Sequence, residues 1–375
     1  LSFLRRISLT KLLLLCGATG LIGISATALA LALGSAPTPP AAPLAQAIHG
    51  AIAGARSSSI EGFSASVELT DRLVEGSELA NAGGQGGGIA SNPLLTGGSG
   101  RLWVSRDGRL RLELQAEKGD TELVYDGHTV TIYDASSNTV YRYTPSEHED
   151  GWTGAPLKKP NGGDAGSHEV PSVAKIEEAI AKIRKHAGLS GATPTDVGGR
   201  AAYTVRVSPS EGGSLIGGAE LSFDAANGLP LRAAVYSSTT TAPVIELAAD
   251  EVSYGPVPDS VFAINPPPGA TVKELKLPSH SGVAPKQHDG SKPKLSTSGH
   301  GIAAVGVLSE KASGKDAGSS SSEAEGLPKV KINGITATEL RTELGTILTF
   351  ERAGIRYVLA GAVEPSAVET VAKGL

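Results

Sequence analysis

The sequence predicts an α+β protein, a curved antiparallel β-sheet with covering helices followed by a small C-terminal ββα unit. Three observations predict it. Apolar residues recur with a period of two, most clearly where Leu110, Leu112, Leu114 and Ala116 alternate with Arg109, Arg111, Glu113 and Gln115. That pattern gives a strand one buried face and one wet face, as in antiparallel sheets. The runs are short and are separated by Asp107-Gly108, Asp126-Gly127, Ser137-Asn138 and Asn227-Gly228. Such pairs suit hairpin turns with positive φ, so neighbouring strands form a meander rather than βαβ units. Two stretches, 43–56 and 173–187, switch to helical spacing.

The chain opens with Arg5, Arg6 and Lys11, and its first acidic residue is Glu61. Residues 12–33 carry no charge. At about 1.5 Å per residue they would rise roughly 33 Å, enough for a bilayer core of about 30 Å. The preceding cations place residues 1–11 in the cytoplasm and the rest outside. Two readings stand: a retained anchor, or a cleaved signal peptide with small-residue sites at Ala28-Leu29-Ala30 and Gly34-Ser35-Ala36. Lipid modification at Cys16 is disfavoured by Leu15 before it. Cys16 is the only cysteine, so an intramolecular disulfide is excluded. A net charge of −5 leaves no electrostatic footprint for nucleic acid.

The elements follow in order. Pro37-Thr38-Pro39-Pro40 is a stiff spacer. Leu44, Ile48, Ile52 and Ala55 mark the first helix. Phe63, Ala65, Val67 and Leu69 alternate with Ser64, Ser66 and Glu68 as a strand. Residues 75–100, with the glycine run 83–88, read as a loop. Short strands follow at Leu110–Ala116, Leu123/Tyr125, Val130/Ile132 and Tyr141/Tyr143. After a polar loop at 146–170, Val173, Ile176, Ile180 and Ile183 face one side of a second helix, and Glu178 pairs with Lys182. Tyr203/Val205/Val207, Leu221/Phe223, Leu229 through Val235, and Ile245/Leu247 read as four more strands.

Residues 278–327 hold few large apolar residues and read as a disordered linker. The last stretch, 328–375, reads as strands at 346–351 and 355–361 and a helix opened by Pro365. Four segments result: 1–36 as tip and span, 37–277 as the main domain, 278–327 as linker and 328–375 as a small unit. A unit of that size without disulfides is marginal alone, so it is expected to pack on the main domain or on a partner.

Three motifs carry a resemblance. Phe223-Asp224-Ala225-Ala226-Asn227-Gly228-Leu229-Pro230-Leu231 is similar to the hairpin of the LolA-type half-barrel family. Val257-Pro258-Asp259-Ser260-Val261-Phe262, with Pro267-Pro268-Gly269, resembles that family's closing strand. Tyr357-Val358-Leu359-Ala360-Gly361-Ala362-Val363-Glu364-Pro365 looks like the C-terminal end of its RseB/MucB-like members. The family spans periplasmic lipoprotein carriers, RseB/MucB-like regulators and exported lipid-binding lipoproteins. The resemblance implies a half-barrel whose concave face holds lipid or lipoprotein acyl chains. Its residues here would be Val67, Leu69, Leu110, Leu112, Leu114, Val205, Leu221, Phe223 and Leu231, with Trp103 or helix 173–187 as a lid. A regulatory reading is also implied, in which the fold holds a membrane anti-sigma factor.

Chemistry beyond binding finds little support in the residues. No H-E-x-x-H pair and no G-x-S-x-G elbow occurs, and the glycine run 83–88 lacks the Lys-Ser/Thr of a phosphate loop. His148, beside Glu147, Glu149 and Asp150, is the one acidic-histidine cluster and reads as a solvated loop. The expectation is an exported, membrane-associated binding protein, not an enzyme, with no metal or cofactor.

Overall fold

The structure, a computed structural model, describes residues 37–74, 92–117, 119–144, 170–275, 294–312 and 327–375. Residues 12–33, Cys16, the glycine run 83–88 and the His148 cluster lie outside them. Among the described residues no helix is long and apolar enough to cross a membrane.

Helix α1 (Leu44–Ser57) precedes strand β1 (Gly62–Asp71) and a single turn of helix, α2 (Pro93–Thr96). The meander β2 (Gly98–Ser105), β3 (Leu110–Ala116), β4 (Gly119–Tyr125), β5 (Val130–Asp134) and β6 (Thr139–Tyr143) leads to helix α3 (Val173–Ile183). Next come β7 (Ala187–Leu189), β8 (Thr193–Val197), β9 (Arg200–Pro209), β10 (Ile216–Asp224), β11 (Pro230–Ser237), β12 (Pro243–Tyr254) and β13 (Thr271–Glu274). The described residues of this part form one thirteen-stranded sheet in the order β13-β6-β5-β4-β3-β2-β1-β12-β11-β10-β9-β7, with β8 also on β9. All its pairings are antiparallel except β13 on β6.

The sheet is open but strongly curved. Strands β9 and β12 are three ladder spacings apart, about 14 Å in a flat sheet. Yet Nη2 of Arg200, at the β8–β9 turn, donates to the Val252 carbonyl at 2.9 Å. At the same turn Gly198 (φ 59°) lies so close to β12 that a Cβ there would meet the Ala249 oxygen at 2.9 Å. The curl encloses Phe63, Ala65, Val67, Leu112, Leu114, Val197, Leu231 and Val252 as the main core.

Helices α1 and α3 lie on the same concave face over β9 and β10. Ala47 and Ala51 pack on Tyr203 and Phe223, and Leu44 and Ala45 on Ile176 and Ile180. The β10–β11 hairpin, carrier of the family resemblance, has a local explanation. Asp224 Oδ1 accepts from the amides of Ala226 and Asn227, Asn227 Oδ1 accepts from Leu229, and Asp224 Oδ2 accepts from the Tyr254 hydroxyl at 2.6 Å. The turn presses against α1 so closely that a Cβ on Gly54 would sit 1.8 Å from the Ala226 oxygen. The motif thus sets a turn and docks a helix.

Several elements depart from expectation. Strand β2 lay partly inside the predicted loop 75–100, because Gly98, Ser99 and Gly100 break the apolar alternation. A Cβ on Gly100 would overlap the Glu113 carbonyl of β3, so the close pairing requires glycine. The second helix stops at Ile183, short of the predicted 187; residues 184–186 form a turn and Ala187 opens β7. The predicted closing strand 257–262 contains a 3₁₀ turn, Asp259–Phe262, strapped across the convex face. Arg111 Nη1 donates to Val261 O at 2.8 Å, and Arg109 pairs with Asp259 at 2.7 Å.

The second sheet is larger than the expected ββα unit. It contains β14 (Lys294–Ser298), β15 (Val305–Lys311), β16 (Lys329–Ile332), β17 (Ile335–Thr342), β18 (Gly345–Arg352) and β19 (Ile355–Gly361), with helix α4 (Pro365–Lys373) packed on it. Their order is β14-β15-β19-β18-β17-β16. Strands β14 and β15 fall inside 278–327, the stretch expected to be linker. Two buried side chains, Val305 and Val307, suffice there because β15 adds to the ready edge of β19. The turn between β16 and β17 uses Asn333-Gly334 at φ 49° and 85°. The second sheet touches the first through Leu215 N and Ser214 Oγ, both donating to Ala362 O, and through Glu343 N donating to Leu73 O.

Candidate ligand-binding face

The register lines up apolar residues in rows across the concave face. An inner row runs through Val67 and Ala249 on β1 and β12, Leu231 on β11, and Phe223 and Tyr203 on β10 and β9. It is buried under the β8–β9 turn and α1. The next row is Leu69–Leu247–Ala233–Leu221–Val205, and an outer row is Ile245–Val235–Ala219–Val207. Among the described residues these two rows are incompletely covered. Leu221 is 45% exposed and Val207 40%, against 2% for Val67. Five adjacent strands therefore present a continuous apolar surface, wider than the scattered apolar residues normal on a soluble protein.

Walls rise on both sides. On one side α3 offers Ile180, buried, and Ile183, exposed. On the other, α2 is held over β1, β3 and β4 by Leu94, which packs on the main core, and by Asn92, whose Oδ1 accepts from Thr121 Oγ1. Beyond the β1 end of the outer row a groove of about 450 Å³ is lined by Asp71, Arg72, Leu95, Pro243 and Val244, and by Glu343 of the second sheet. Burial pushes the Asp71 carboxyl above its usual range.

The nine residues named from sequence all lie on the concave face but differ in environment. Val67, Leu112, Leu114 and Leu231 are buried in the main core, with Leu69 and Leu110 half-buried against it. Phe223 is covered by α1, and Val205 by both helices. Leu221 alone stands well exposed. Trp103 points to the opposite, convex face with Arg111, its register partner on β3, so it is no lid for the concave side. There its ring lies between the guanidinium groups of Arg101 and Arg111, 5.8 and 6.0 Å from its centroid. Sequence reading left out Val207, Ala219, Ala233, Val235, Ile245 and Leu247 as site residues. The signal that finds them is the cross-strand register.

The convex face behind these rows is polar and internally satisfied. Glu220 accepts from Arg206, from Arg232 at 2.9 Å and from the Tyr236 hydroxyl at 2.7 Å, while Arg232 also pairs with Glu246. Burial opposes the Glu220 charge, but these three donors outweigh it and hold the carboxyl below its usual range. Among the described residues no cluster of three or more His, Cys, Asp or Glu is placed to hold a metal. The chemistry this face offers is burial of apolar matter.

Fold and face define an open half-barrel with helices on its concave side, as the resemblance of the motifs implies. Residues 90–150 match the model of a family described as "Predicted periplasmic protein (DUF2092)". No curated protein matches the chain. Among solved structures the chain is similar to the MucA/MucB complex of Pseudomonas aeruginosa, at 14% identity over 88% of this chain and 96% of that one, TM-score 0.41. It is also similar to MucB in complex with MucA(peri), at 14% identity over 88% and 97%, TM-score 0.39. A LolA superfamily protein from Nitrosomonas europaea is similar at 10% identity over 85% and 91%, TM-score 0.19.

Proposed function

We propose that this chain is an extracytoplasmic binding protein that takes lipid or lipoprotein acyl chains onto the two open rows of its concave face. The observation that carries the reading is the incompletely covered surface from Leu69 and Ile245 across to Val205 and Val207, with Leu221 at its centre. Each CH₂ group buried there contributes about 0.8 kcal/mol. Ten of them offer about 8 kcal/mol, from which the costs of association are subtracted. The basic-then-apolar N-terminal sequence supports the location outside the cytoplasm.

The test is uptake of a fluorescent acyl probe by the full chain and by Leu221→Glu. Because Leu221 is exposed, the substitution leaves the core intact, and probe affinity is expected to fall by at least about tenfold as a charge meets the acyl chain. Unchanged affinity would overturn the reading.

A second reading, a regulator that holds a membrane anti-sigma factor, has one observation in its favour. The second sheet has its own core and meets the first at Leu73 and at Ser214 and Leu215, all at the outer-row end of the half-barrel. Recovery of one membrane protein in stoichiometric amount from solubilised membranes would support it; recovery of lipid alone supports the first reading.

A further inference from the structure

The geometry points to a second surface: we propose that the C-terminal tip of α3, with the groove beside it, faces the bilayer and takes anionic phospholipid headgroups. Residues 181–186 are exposed without a break. Within them Ile183 is 47% exposed and is followed directly by Arg184, Lys185 and His186. An apolar side chain standing among cations is the composition of an interfacial contact, in which the apolar group enters the headgroup layer and the cations meet phosphate.

Lys182 is paired with Glu178 at 2.9 Å, which accounts for it as a helix-surface ion pair. Arg184 and Lys185 take part in no ion pair among the described residues. Favourable placement at a helix C-terminus explains the cations but not the exposed isoleucine between them.

The groove makes the surface continuous. Its volume is about 650 Å³, and Leu44, Ala45, Ile180 and Ala181 line it together with Arg184, Lys185 and one acidic residue, Glu177. Pro43, where the chain enters α1, lines the same groove. Only residues 34–42 separate it from the uncharged stretch 12–33. Nine residues span at most about 30 Å, so a segment held in the bilayer would keep this groove within that distance of the membrane surface. Arg184 and Lys185 outnumber Glu177 around the groove, a local excess of positive charge in a chain of net charge −5 that fits anionic lipid. The surface adjoins the apolar rows along the α3 wall, where Ile180 belongs to both, but Arg184 and Lys185 lie outside those rows.

The test uses the full chain with Cys16→Ser and a polarity-sensitive fluorophore on Ile183→Cys, or on Ile347→Cys in the second sheet as control. Vesicles are phosphatidylcholine alone or with added phosphatidylglycerol, each carrying a nitroxide-headgroup quencher. Expected are quenching and a blue shift at position 183 that strengthen with phosphatidylglycerol, and little of either at 347. Arg184→Glu with Lys185→Glu should weaken the lipid response by at least about tenfold, as each cation near an anionic surface contributes roughly fivefold. The same double variant should take up the acyl probe as the parent does, which separates this surface from the concave face. No quenching at 183, equal quenching at both positions, or a response indifferent to phosphatidylglycerol or to the charge reversal would overturn the proposal.

Discussion

The inner and outer parts of the concave face are made of the same residue types and differ in what lies over them. At the inner end Val67, Leu112, Leu114 and Leu231 are enclosed because the β8–β9 turn reaches across three strand spacings to β12. Toward the outer end Val207, Ala219, Leu221 and Ala233 continue the same rows, yet they are exposed. Composition therefore does not separate buried from open apolar surface in this protein; coverage does. The difference has an energetic meaning. Apolar area at the inner end is spent on folding, whereas that at the outer end remains free for another molecule.

That contrast can be broken by matched truncations. Leu114→Ala should lower unfolding free energy by about 2–5 kcal/mol, since a side chain 1% exposed leaves a cavity. Leu221→Ala, the same chemistry five strands away in the sheet, should cost less than about 0.5 kcal/mol. Urea unfolding of both variants measures this, and similar losses would mean that the outer rows are core after all.

Between these in size stands the latch at the inner end, where Tyr254 donates to Asp224. Tyr254→Phe leaves a buried carboxylate oxygen without its donor, at a cost of about 1–3 kcal/mol at neutral pH. Burial, aided by the bond to Asp224, pushes the Tyr254 hydroxyl up to about 12. In the unfolded chain it titrates near its ordinary value of about 10. The contribution is thus fully present below about pH 10 and is lost as pH rises from there through 12. Stability of the parent should fall across that window more steeply than that of Tyr254→Phe, and parallel pH profiles would remove the latch from the account.

Much of the first sheet was legible because its strands alternate and its turns carry Asp-Gly or Asn-Gly. Gly108, Gly127 and Gly228 do adopt positive φ, and Asn138 does so at φ 45°. Strand β2 was hidden by glycines that are there to let β3 approach. Strands β14 and β15 were hidden because a hairpin that joins an existing sheet needs only Val305 and Val307 as anchors. For the candidate face, alternation placed all nine residues on one side of the sheet. It did not show which were open, since eight of the nine are buried or half-buried by elements remote in sequence. Trp103 was misassigned for a related reason. Without β2 as a strand its parity was unknown, and it faces Arg101 and Arg111 on the outside.

The most direct test of the central claim is native mass spectrometry of the full chain, purified from a bacterial envelope in mild detergent and compared with Leu221→Glu. The account predicts a bound lipid at about one per chain in the parent, identified after organic extraction and lost in the variant. A parent that carries no lipid, and takes none up from added micelles, would contradict it.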